Sequence, residues 1–542
     1  MIRHLYLVGN MGSGKTTVGR LAAQRLGAPF YDLDQRIEQA TGQTIAELFA
    51  QHGEEAFRQL ERKALAETLF LWDGIVATGG GVVLDDLNRK AMHLLGWVIY
   101  LRASPETLWQ RLQHTTDRPL LRTESPYETL QAIVQAREPL YQEADWVIDT
   151  DALSPQEVAE AIARIAVPTP EDPLIIPVLP NQPHEYPVLI APEMCAHTAE
   201  TILQRIQPTR VAILTHTNLR RYADPLHAGF TQHGVPAHLI TLPSGEQMKS
   251  LHVAERLYVQ LLEAGCDRGS LLVIVGGGVL GDLGGFVAAT YMRGIPYVQV
   301  PTTLLAQVDS SVGGKVAVDL PQGKNLVGAF HQPRMTLIDP ETLYTLPLRH
   351  WRNGFAEMLK YGAALHIGLW RRLQLFVEAK VVGARRVHKE AVLWTLPIAR
   401  CVSLKAQVVS EDERDLSGRR ALLNFGHTVG HAIEAALGYQ DWLHGEAIAA
   451  GMVAEAEIGR TLGITPPEVA DELRETIAQA GLPTQLPAGV DADTLLAHMR
   501  HDKKRAGDSL SIVLLEGIGN ARLVPNIPLE AIREALARCA TS

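Results

Sequence analysis

The chain has 542 residues, a length that suits two to four domains rather than one. Apolar residues make up 46%, charged residues 20%, and the net charge is −10, a balance that excludes disordered, collagen-like and coiled-coil chains. Neither the first 166 residues nor the remainder carries a positive excess, which leaves no footprint for nucleic acid.

In chain order, residues 5–8, 74–77, 97–101 and 146–148 read as strands. The stretch after Gly14 and residues 45–71, 105–113 and 126–141 read as amphipathic helices. Short apolar runs alternating with helical periodicity predict a parallel sheet. Eight prolines then fall between 168 and 192. Proline fixes φ and removes a donor, so 167–173 is expected to be a linker, with strands resuming at 174–178 and 186–190. A mixed α/β part follows, with strands at 211–214, 271–275, 297–300 and 336–338. From Trp351 the pattern is helical almost to the end, apart from a late hairpin at 510–514 and 521–524.

Cys195, Cys266, Cys401 and Cys539 are scattered without a Cys-x-x-Cys pair, against a disulfide framework or a thiolate zinc finger. The first residues reach Gly9 without an apolar run, and the longest apolar stretch, 271–289, carries Asp282 and six glycines. Neither a signal peptide nor a membrane span is expected. The expectation is a cytoplasmic, multidomain enzyme acting on small molecules.

Gly9-Asn-Met-Gly-Ser-Gly-Lys15-Thr16 matches G-x-x-x-x-G-K-[ST] between a strand and a helix. Its glycines turn backbone N–H groups inward to hold phosphate oxygens at the positive end of the helix. Gly12, Ser13, Gly14, Lys15, Thr16 and Thr17 are thus the expected ATP-binding segment. In it Lys15 reaches the β/γ-phosphates and the Thr16 hydroxyl coordinates Mg²⁺. Further on come Tyr31-Asp32-Leu-Asp34, Gly53-Glu-Glu-Ala-Phe-Arg58-x-x-Glu61, Thr78-Gly79-Gly80-Gly81, Asp117-Arg118-Pro-Leu-Leu and Arg137-x-x-x-Tyr141. In this order and spacing the first ~165 residues resemble the shikimate kinase family. The resemblance implies that Asp34 binds the ring hydroxyls and accepts a proton, and that Arg58 and Arg137 clamp the substrate carboxylate. It also implies that Gly80 admits the ring, that Arg118 lies on a lid over ATP, and that Asp32 supports Mg²⁺ through water.

A second glycine turn, Gly276-Gly-Gly278-Val279-Leu280-Gly281-Asp282, follows the strand at 271–275. It satisfies G-x-G-x-x-G, but the acid expected about twenty residues on is missing, so an ordinary Rossmann domain is not established by it. Several His and a carboxylate on helices suggest a metal, with Zn²⁺ favoured for N/O ligands from dispersed positions and an open site. The residues allow two arrangements. His427 and His431, spaced i, i+4, could face one ion from one helix; or Glu357, His427 and His444 could hold it, leaving His431 as acid/base.

Pro301-Thr302-Thr303, Val308-Asp309-Ser-Ser-Val-Gly313-Gly314-Lys315, Gly323-Lys324-Asn325, Ala356-Glu357-Met-Leu-Lys360, Leu423-Asn424-Phe-Gly-His427-Thr-Val-Gly-His431-Ala-Ile-Glu434 and His444-Gly-Glu446 occur in the order seen in 3-dehydroquinate synthases. From residue 174 to the end the chain resembles that family. The resemblance implies Zn²⁺, or another divalent ion such as Co²⁺, on Glu357, His427 and His444, with His431 handling protons. It implies NAD contacts from Ser244, Gly245, Glu246, Gln247, Met248, Lys249, Gly278, Val279, Leu280, Gly281, Asp282, Thr302 and Thr303. Asp309, Lys315, Lys324, Thr342, Leu343, Tyr344 and Thr345 continue that pocket. Arg293, Lys315, Lys360, Lys405, Asn424, Arg420 and one of Lys503 and Lys504 hold the phosphate and carboxylate of a seven-carbon sugar acid phosphate. One departure stands at Thr215-His-Thr-Asn218, where His216 replaces the family's acid.

The expected architecture is α/β throughout. A P-loop kinase domain with a parallel sheet (1–166) and a linker (167–173) lead to a two-part synthase, made of an α/β NAD-binding part (174–350) and a mostly helical metal-binding part (351–542). The implied activities are ATP- and Mg²⁺-dependent phosphorylation of shikimate and NAD- and metal-dependent formation of 3-dehydroquinate, with homodimerisation through the synthase. The alternative is a different sugar-phosphate cyclase fused to a nucleotide-binding regulatory module without turnover.

Overall fold

The structure, a computed structural model, describes residues 4–68, 71, 73–113, 119–121, 123–179, 185–378, 391–413, 420–503 and 510–540. Arg118 and Lys504 lie outside the described residues, as does the side chain of Lys503. The chain divides into two compact units, Met1–Pro168 and Thr169–Ser542.

The smaller unit runs β1 (His4–Val8), α1 (Lys15–Leu26), β2 (Phe30–Asp32), α2 (Leu33–Thr41), α3 (Ile45–Glu67), β3 (Ile75–Ala77), α4 (Asp86–Leu95), β4 (Gly96–Arg102), α5 (Pro105–Leu112), α6 (Pro126–Tyr141), β5 (Trp146–Asp149) and α7 (Pro155–Ala166). Its sheet has the order β2-β3-β1-β4-β5, and every pairing is parallel. Helices cover the sheet, so β1 is buried at all five positions and reads as a continuous apolar run. Capping boxes start α3 (Thr44 with Glu47) and α7 (Ser154 with Glu157). The helix expected over 45–71 ends at Glu67 and is broken at Gly53, whose φ of 78° lies in the left-handed region.

The larger unit continues with β6 (Leu174–Val178), β7 (Tyr186–Ile190), α8 (Met194–Leu203), β8 (Val211–His216), α9 (Arg220–Gln232), β9 (Ala237–Leu242), α10 (Leu251–Glu263), β10 (Leu271–Gly276), α11 (Gly278–Thr290), β11 (Tyr297–Pro301), β12 (Lys315–Leu320), β13 (Gly323–Phe330) and β14 (Met335–Ile338). Its main sheet has the order β6-β7-β14-β11-β10-β8-β9, with only the β6–β7 pair antiparallel. Pro177 and Pro187 stand opposite each other on that pair, so both missing donors fall on one rung. Alternate residues of β10 feed two cores. Leu272 and Ile274 pack with Leu283 and Phe286 on one face, Val273 and Val275 with Phe230 and Leu337 on the other.

The helical part comprises α12 (Leu348–Leu365), α13 (Ile367–Glu378), α14 (Ala391–Glu411), α15 (His427–Ala436), α16 (His444–Thr461), α17 (Pro467–Gln479), α18 (Ala492–Lys503), the hairpin β15 (Ile512–Gly517) and β16 (Asn520–Val524), and α19 (Leu529–Cys539). The late hairpin therefore begins two residues beyond its expected start. The antiparallel hairpin β12–β13 was not anticipated at all; its glycines hide the alternation, and Gly328 is needed because a Cβ there would lie 2.4 Å from the Val316 carbonyl. Among the described residues no helix is long and apolar enough to cross a membrane.

One buried acid fixes where α15 begins. Glu455 of α16 is fully buried, and its carboxylate accepts N–H bonds from Gly426 at 2.7 Å and Val429 at 3.2 Å. It thus caps the positive end of α15 with a charge. Glu455→Gln keeps the shape but sets an amide against those donors. It is expected to cost the larger unit about 1–3 kcal/mol, read as a lowered midpoint in denaturant unfolding; an unaltered midpoint contradicts this account.

Candidate active sites

In the smaller unit the phosphate loop connects β1 to α1. Gly9, Gly12 and Gly14 have φ of 149°, 82° and 88°. A Cβ on Gly9 would meet the Leu101 carbonyl at 2.7 Å, and one on Gly12 would meet the Leu112 side chain at 2.9 Å. Gly14 precedes α1 without a side-chain cap, and no acid occupies the first turn, so the helix start keeps its positive potential. Ser13 is buried and Thr17 exposed. The Lys15 ammonium folds back on its own loop, donating to the carbonyls of Gly9 (2.7 Å) and Asn10 (3.1 Å). Thr16 donates to Asp32 Oδ2 at 2.7 Å, while Asp32 Oδ1 caps α2 through the Gln35 N–H.

Beside the loop, residues 79–81 form a strip on which the other expected groups converge. A Cβ on Gly79 would lie 2.5 Å from Glu61 and 3.1 Å from Asp34 Oδ1; one on Gly81 would lie 2.2 Å from the Arg58 guanidinium; one on Gly80 would press on the Met11 N–H at 3.3 Å. The Gly80 carbonyl accepts from Arg137 (2.8 Å) and the Tyr141 hydroxyl (2.5 Å). Arg58 is held by Glu61 and Glu54, each at 2.8 Å. Burial raises the pKa of Glu61 against the pull of Arg58, and the nearby Asp34 charge adds to the rise. Asp34, Arg58 and Arg137 therefore all come to the strip that carries Gly80. Glu54 and Glu61 orient Arg58, a role the sequence reading did not give them.

In the larger unit the strand order reverses between β8 and β10, which opens a crevice at their carboxyl ends. His216 closes β8 and is buried, which pushes its imidazole pKa down. Gly277 and Gly278 lie there because Cβ atoms would meet Thr303 at 2.9 Å and Ser310 at 3.0 Å. The α11 N-terminus again has no side-chain cap. Asp282 pairs with Lys249 at 2.6 Å, and Lys249 also donates to Asn325 at 2.5 Å. Burial works against the Lys249 charge, but Asp282 lifts its pKa above the usual range. The turn after β9, with Ser244, Gly245, Glu246, Gln247 and Met248, delivers Lys249 to this crevice. Thr302 donates its N–H to the Gly276 carbonyl, and Thr303 caps the Ala306 N–H. Thr342 accepts from Gln307 at 2.9 Å, and Thr345 bonds the Tyr222 hydroxyl at 3.0 Å. Leu280 and Leu343 are core side chains, so they offer the crevice only backbone atoms, with Val279 and Tyr344 partly exposed beside them.

Next to the crevice, Glu357 on α12 is completely buried. Oε1 faces His427 Nε2 at 3.6 Å and His444 Nε2 at 3.5 Å; Oε2 faces the Lys360 ammonium at 2.5 Å. The three donor atoms lie within 4.8 Å of one another. A buried carboxylate with an ammonium on one oxygen and two imidazole nitrogens beside the other fits a divalent ion with an open position. Both outer ring nitrogens are engaged: His427 Nδ1 donates to the Phe425 carbonyl and His444 Nδ1 to Glu434 Oε2, each at 3.2 Å. Burial and Lys360 push the His427 pKa down to about 3. Burial opposes charge on His444 too, but Glu357 and Glu434 lift it to about 10. His431, exposed on α15, has its ring 5.2 Å from that of His427 and 6.1 Å from that of His444. Glu357, His427 and His444, one of the two arrangements the sequence allowed, come together, while His431 also lies beside His427. A second set, His431, Glu434 and His444, is equally close.

Helix α16 approaches both neighbours at the main chain: a Cβ on Gly451 would lie 2.1 Å from the Gly426 carbonyl at the start of α15, and one on Gly445 would lie 2.1 Å from the Asn353 carbonyl of α12. Basic groups ring the cluster. Lys405 donates to Asp309 Oδ1 (2.8 Å) and its carbonyl (2.7 Å), and the Tyr361 hydroxyl donates to the same Oδ1 at 2.5 Å. Burial favours a neutral Asp309, but Lys405 and Lys360 hold its pKa far below the usual carboxylate range. Arg420 lies 2.8 Å from where a Gly313 Cβ would stand, just before the exposed Lys315. Lys324 reaches Glu246 and Glu434, each at 3.6 Å. Asn424 ends the turn that leads into α15. Arg293 stands apart: it is exposed, with φ of 69°, on the turn after α11, roughly 20 Å along that helix from Gly278.

Comparison with known proteins agrees with this geometry. Residues 11–166 match the family model for shikimate kinase, 239–353 that for 3-dehydroquinate synthase N-terminal, and 354–505 that for 3-dehydroquinate synthase C-terminal. The 3-dehydroquinate synthase of Xylella fastidiosa (strain M12) is 44% identical over 365 residues, covering 66% of this chain and 96% of that protein. The 2-epi-5-epi-valiolone synthase of Streptomyces hygroscopicus subsp. jinggangensis, solved with NAD⁺ and Zn²⁺ bound, is 28% identical with a TM-score of 0.60, over 65% of this chain and 96% of that one. A 2-deoxy-scyllo-inosose synthase solved with carbaglucose-6-phosphate, NAD⁺ and Co²⁺ is 26% identical with a TM-score of 0.56, over 67% of this chain and 100% of that one. From the glycine crevice through the Glu357 cluster the chain belongs to the 3-dehydroquinate synthase family, and it carries a shikimate kinase domain ahead of it.

Proposed function

We propose that the chain catalyses two steps of aromatic amino-acid (chorismate) biosynthesis. The smaller unit transfers the terminal phosphoryl group of ATP to shikimate, giving shikimate 3-phosphate. The larger unit converts 3-deoxy-D-arabino-heptulosonate 7-phosphate to 3-dehydroquinate with release of phosphate. The observation that carries the reading is the Glu357–His427–His444 cluster beside a glycine crevice and a ring of Lys and Arg. The two steps are not consecutive, so the fusion requires no channel; matched expression is a sufficient reason for it.

In the kinase, phosphoryl transfer needs positioning and charge neutralisation. Lys15 leaves its loop carbonyls for the β/γ-phosphates, and Thr16, tied to Asp32, holds Mg²⁺. Arg58 and Arg137 clamp the shikimate carboxylate by their planar forks. Asp34 lies beside the ring and takes the proton of the attacking hydroxyl.

In the synthase, Glu357, His427 and His444 hold Zn²⁺ or Co²⁺, which supplies Lewis-acid polarisation of a substrate hydroxyl. NAD, bound along Gly278 to Asp282 and Thr302, supplies a hydride acceptor that is restored within each turnover. Lys360, Lys405, Arg420 and Lys315 neutralise the phosphate and carboxylate, Asn424 orients the ring, and His431 moves a proton at its exposed imidazole. Homodimerisation through the synthase and a cytoplasmic location complete the reading; Leu251, Val259 and Leu262 of α10 leave an apolar surface suited to a second copy.

Phosphate release from the seven-carbon acid phosphate, set against other sugar phosphates, tests the synthase assignment. Turnover of the others alone defeats it. Lys15→Ala is expected to lower shikimate phosphorylation on the order of 10²–10³-fold, with the synthase rate unchanged; loss of both activities in folded protein contradicts independent sites. Glu357→Ala is expected to abolish bound metal and synthase turnover while the kinase rate persists, checked by metal analysis and the two assays.

A further inference from the structure

The two imidazoles of the cluster are oriented by different means. His427 is held by main chain, through Nδ1 and the Phe425 carbonyl two residues earlier. His444 is the first residue of α16 and keeps 30% of its side chain exposed; the outer hydrogen bond the structure gives its ring is to a side chain, Glu434 Oε2 at 3.2 Å. Glu434 lies on α15 seven residues after His427, two helical turns along the same face. Its side chain is 8% exposed, and its second oxygen lies 3.6 Å from Lys324, whose ammonium also sits 5.0 Å over the Tyr439 ring.

From this arrangement we infer that Glu434 is the positioning residue for the metal ligand His444. Its carboxylate accepts a hydrogen bond from Nδ1–H, which fixes the tautomer and turns the Nε2 lone pair toward Glu357 and His427. Lys324 anchors Glu434 from the other side, so the carboxylate cannot swing away from the ring. An outer carboxylate on a ligating imidazole raises ligand basicity and fixes ring direction, and its loss typically weakens metal binding 10- to 100-fold. The inference rests on the proposed metal site and goes beyond it, because it assigns metal affinity to a residue that touches neither metal nor substrate.

The test uses the full-length chain stripped of metal and titrated with Zn²⁺ against a chromogenic chelator, then loaded with Co²⁺ for its visible spectrum. NAD binding and the unfolding midpoint report the fold. Glu434→Ala is expected to weaken Zn²⁺ binding about 10- to 100-fold and to shift the cobalt bands, with NAD binding retained. Glu434→Gln, which keeps an acceptor oxygen and the side-chain volume, should recover part of that loss, and it carries the test if the alanine variant fails to fold. Wild-type affinity and spectrum in both variants overturn the inference. So does uptake of two equivalents by the wild type falling to one in Glu434→Ala, since Glu434 would then ligate a second ion with His431. Glu357→Ala separates the premise: if it also binds Zn²⁺ like the wild type, the metal site itself falls and the inference with it. If Glu357→Ala loses the metal and Glu434→Ala does not, only the inference falls.

Discussion

A carboxylate sealed inside a helical layer is the constraint around which the larger unit is organised. Glu357 has no exposed surface, so its charge must be met by other charges. Lys360, one turn along α12, meets one oxygen, and two imidazoles from α15 and α16 meet the other. Lys360 in turn shares its field with Asp309, which is bound by Lys405 and Tyr361. The basic groups that suit a dianionic substrate are therefore also the groups that keep a buried acid ionised. In a protein of net charge −10 this local excess is what draws an anion to one place.

The smaller unit solves its problem with backbone instead. Its strip at 79–81 has no side chains, and the space that Cβ atoms would fill is taken by Glu61, Arg58 and the phosphate loop. Arg58 is already paired with two acids, so its guanidinium is held in place rather than left to be ordered. Asp32 divides its two oxygens between the cap of α2 and the Thr16 hydroxyl, tying the helix that carries Asp34 to the loop that carries Lys15.

Much of this was legible in the sequence where a residue type has few alternatives. Glycine runs after strands announced both strand-to-helix turns, and the histidines announced residues that the fold gathers around Glu357. The proline concentration marked the boundary region, and the compact units meet there at Pro168 and Thr169. What stayed hidden depends on contacts between distant segments. Glu455 acts 29 residues from Gly426 and looks in sequence like any helical acid. Glu434 follows His427 at a helical repeat, a signal that was present but is common on any amphipathic helix. The β12–β13 hairpin was masked because Gly323 and Gly328 interrupt the alternation that marks a strand. That His444 comes to His427 from another helix needed the packing of α15 on α16, which spacing does not encode.

That packing has a consequence for how the metal geometry is stored. Because Gly451 of α16 lies against the Gly426 carbonyl at the start of α15, the separation of the two imidazoles is set by touching polypeptide backbones, not by the imidazole-bearing residues themselves. A single methyl group at Gly451 would act as a shim, spreading the pair of rings. The spacing of the pair is thus written at a position that carries neither ring.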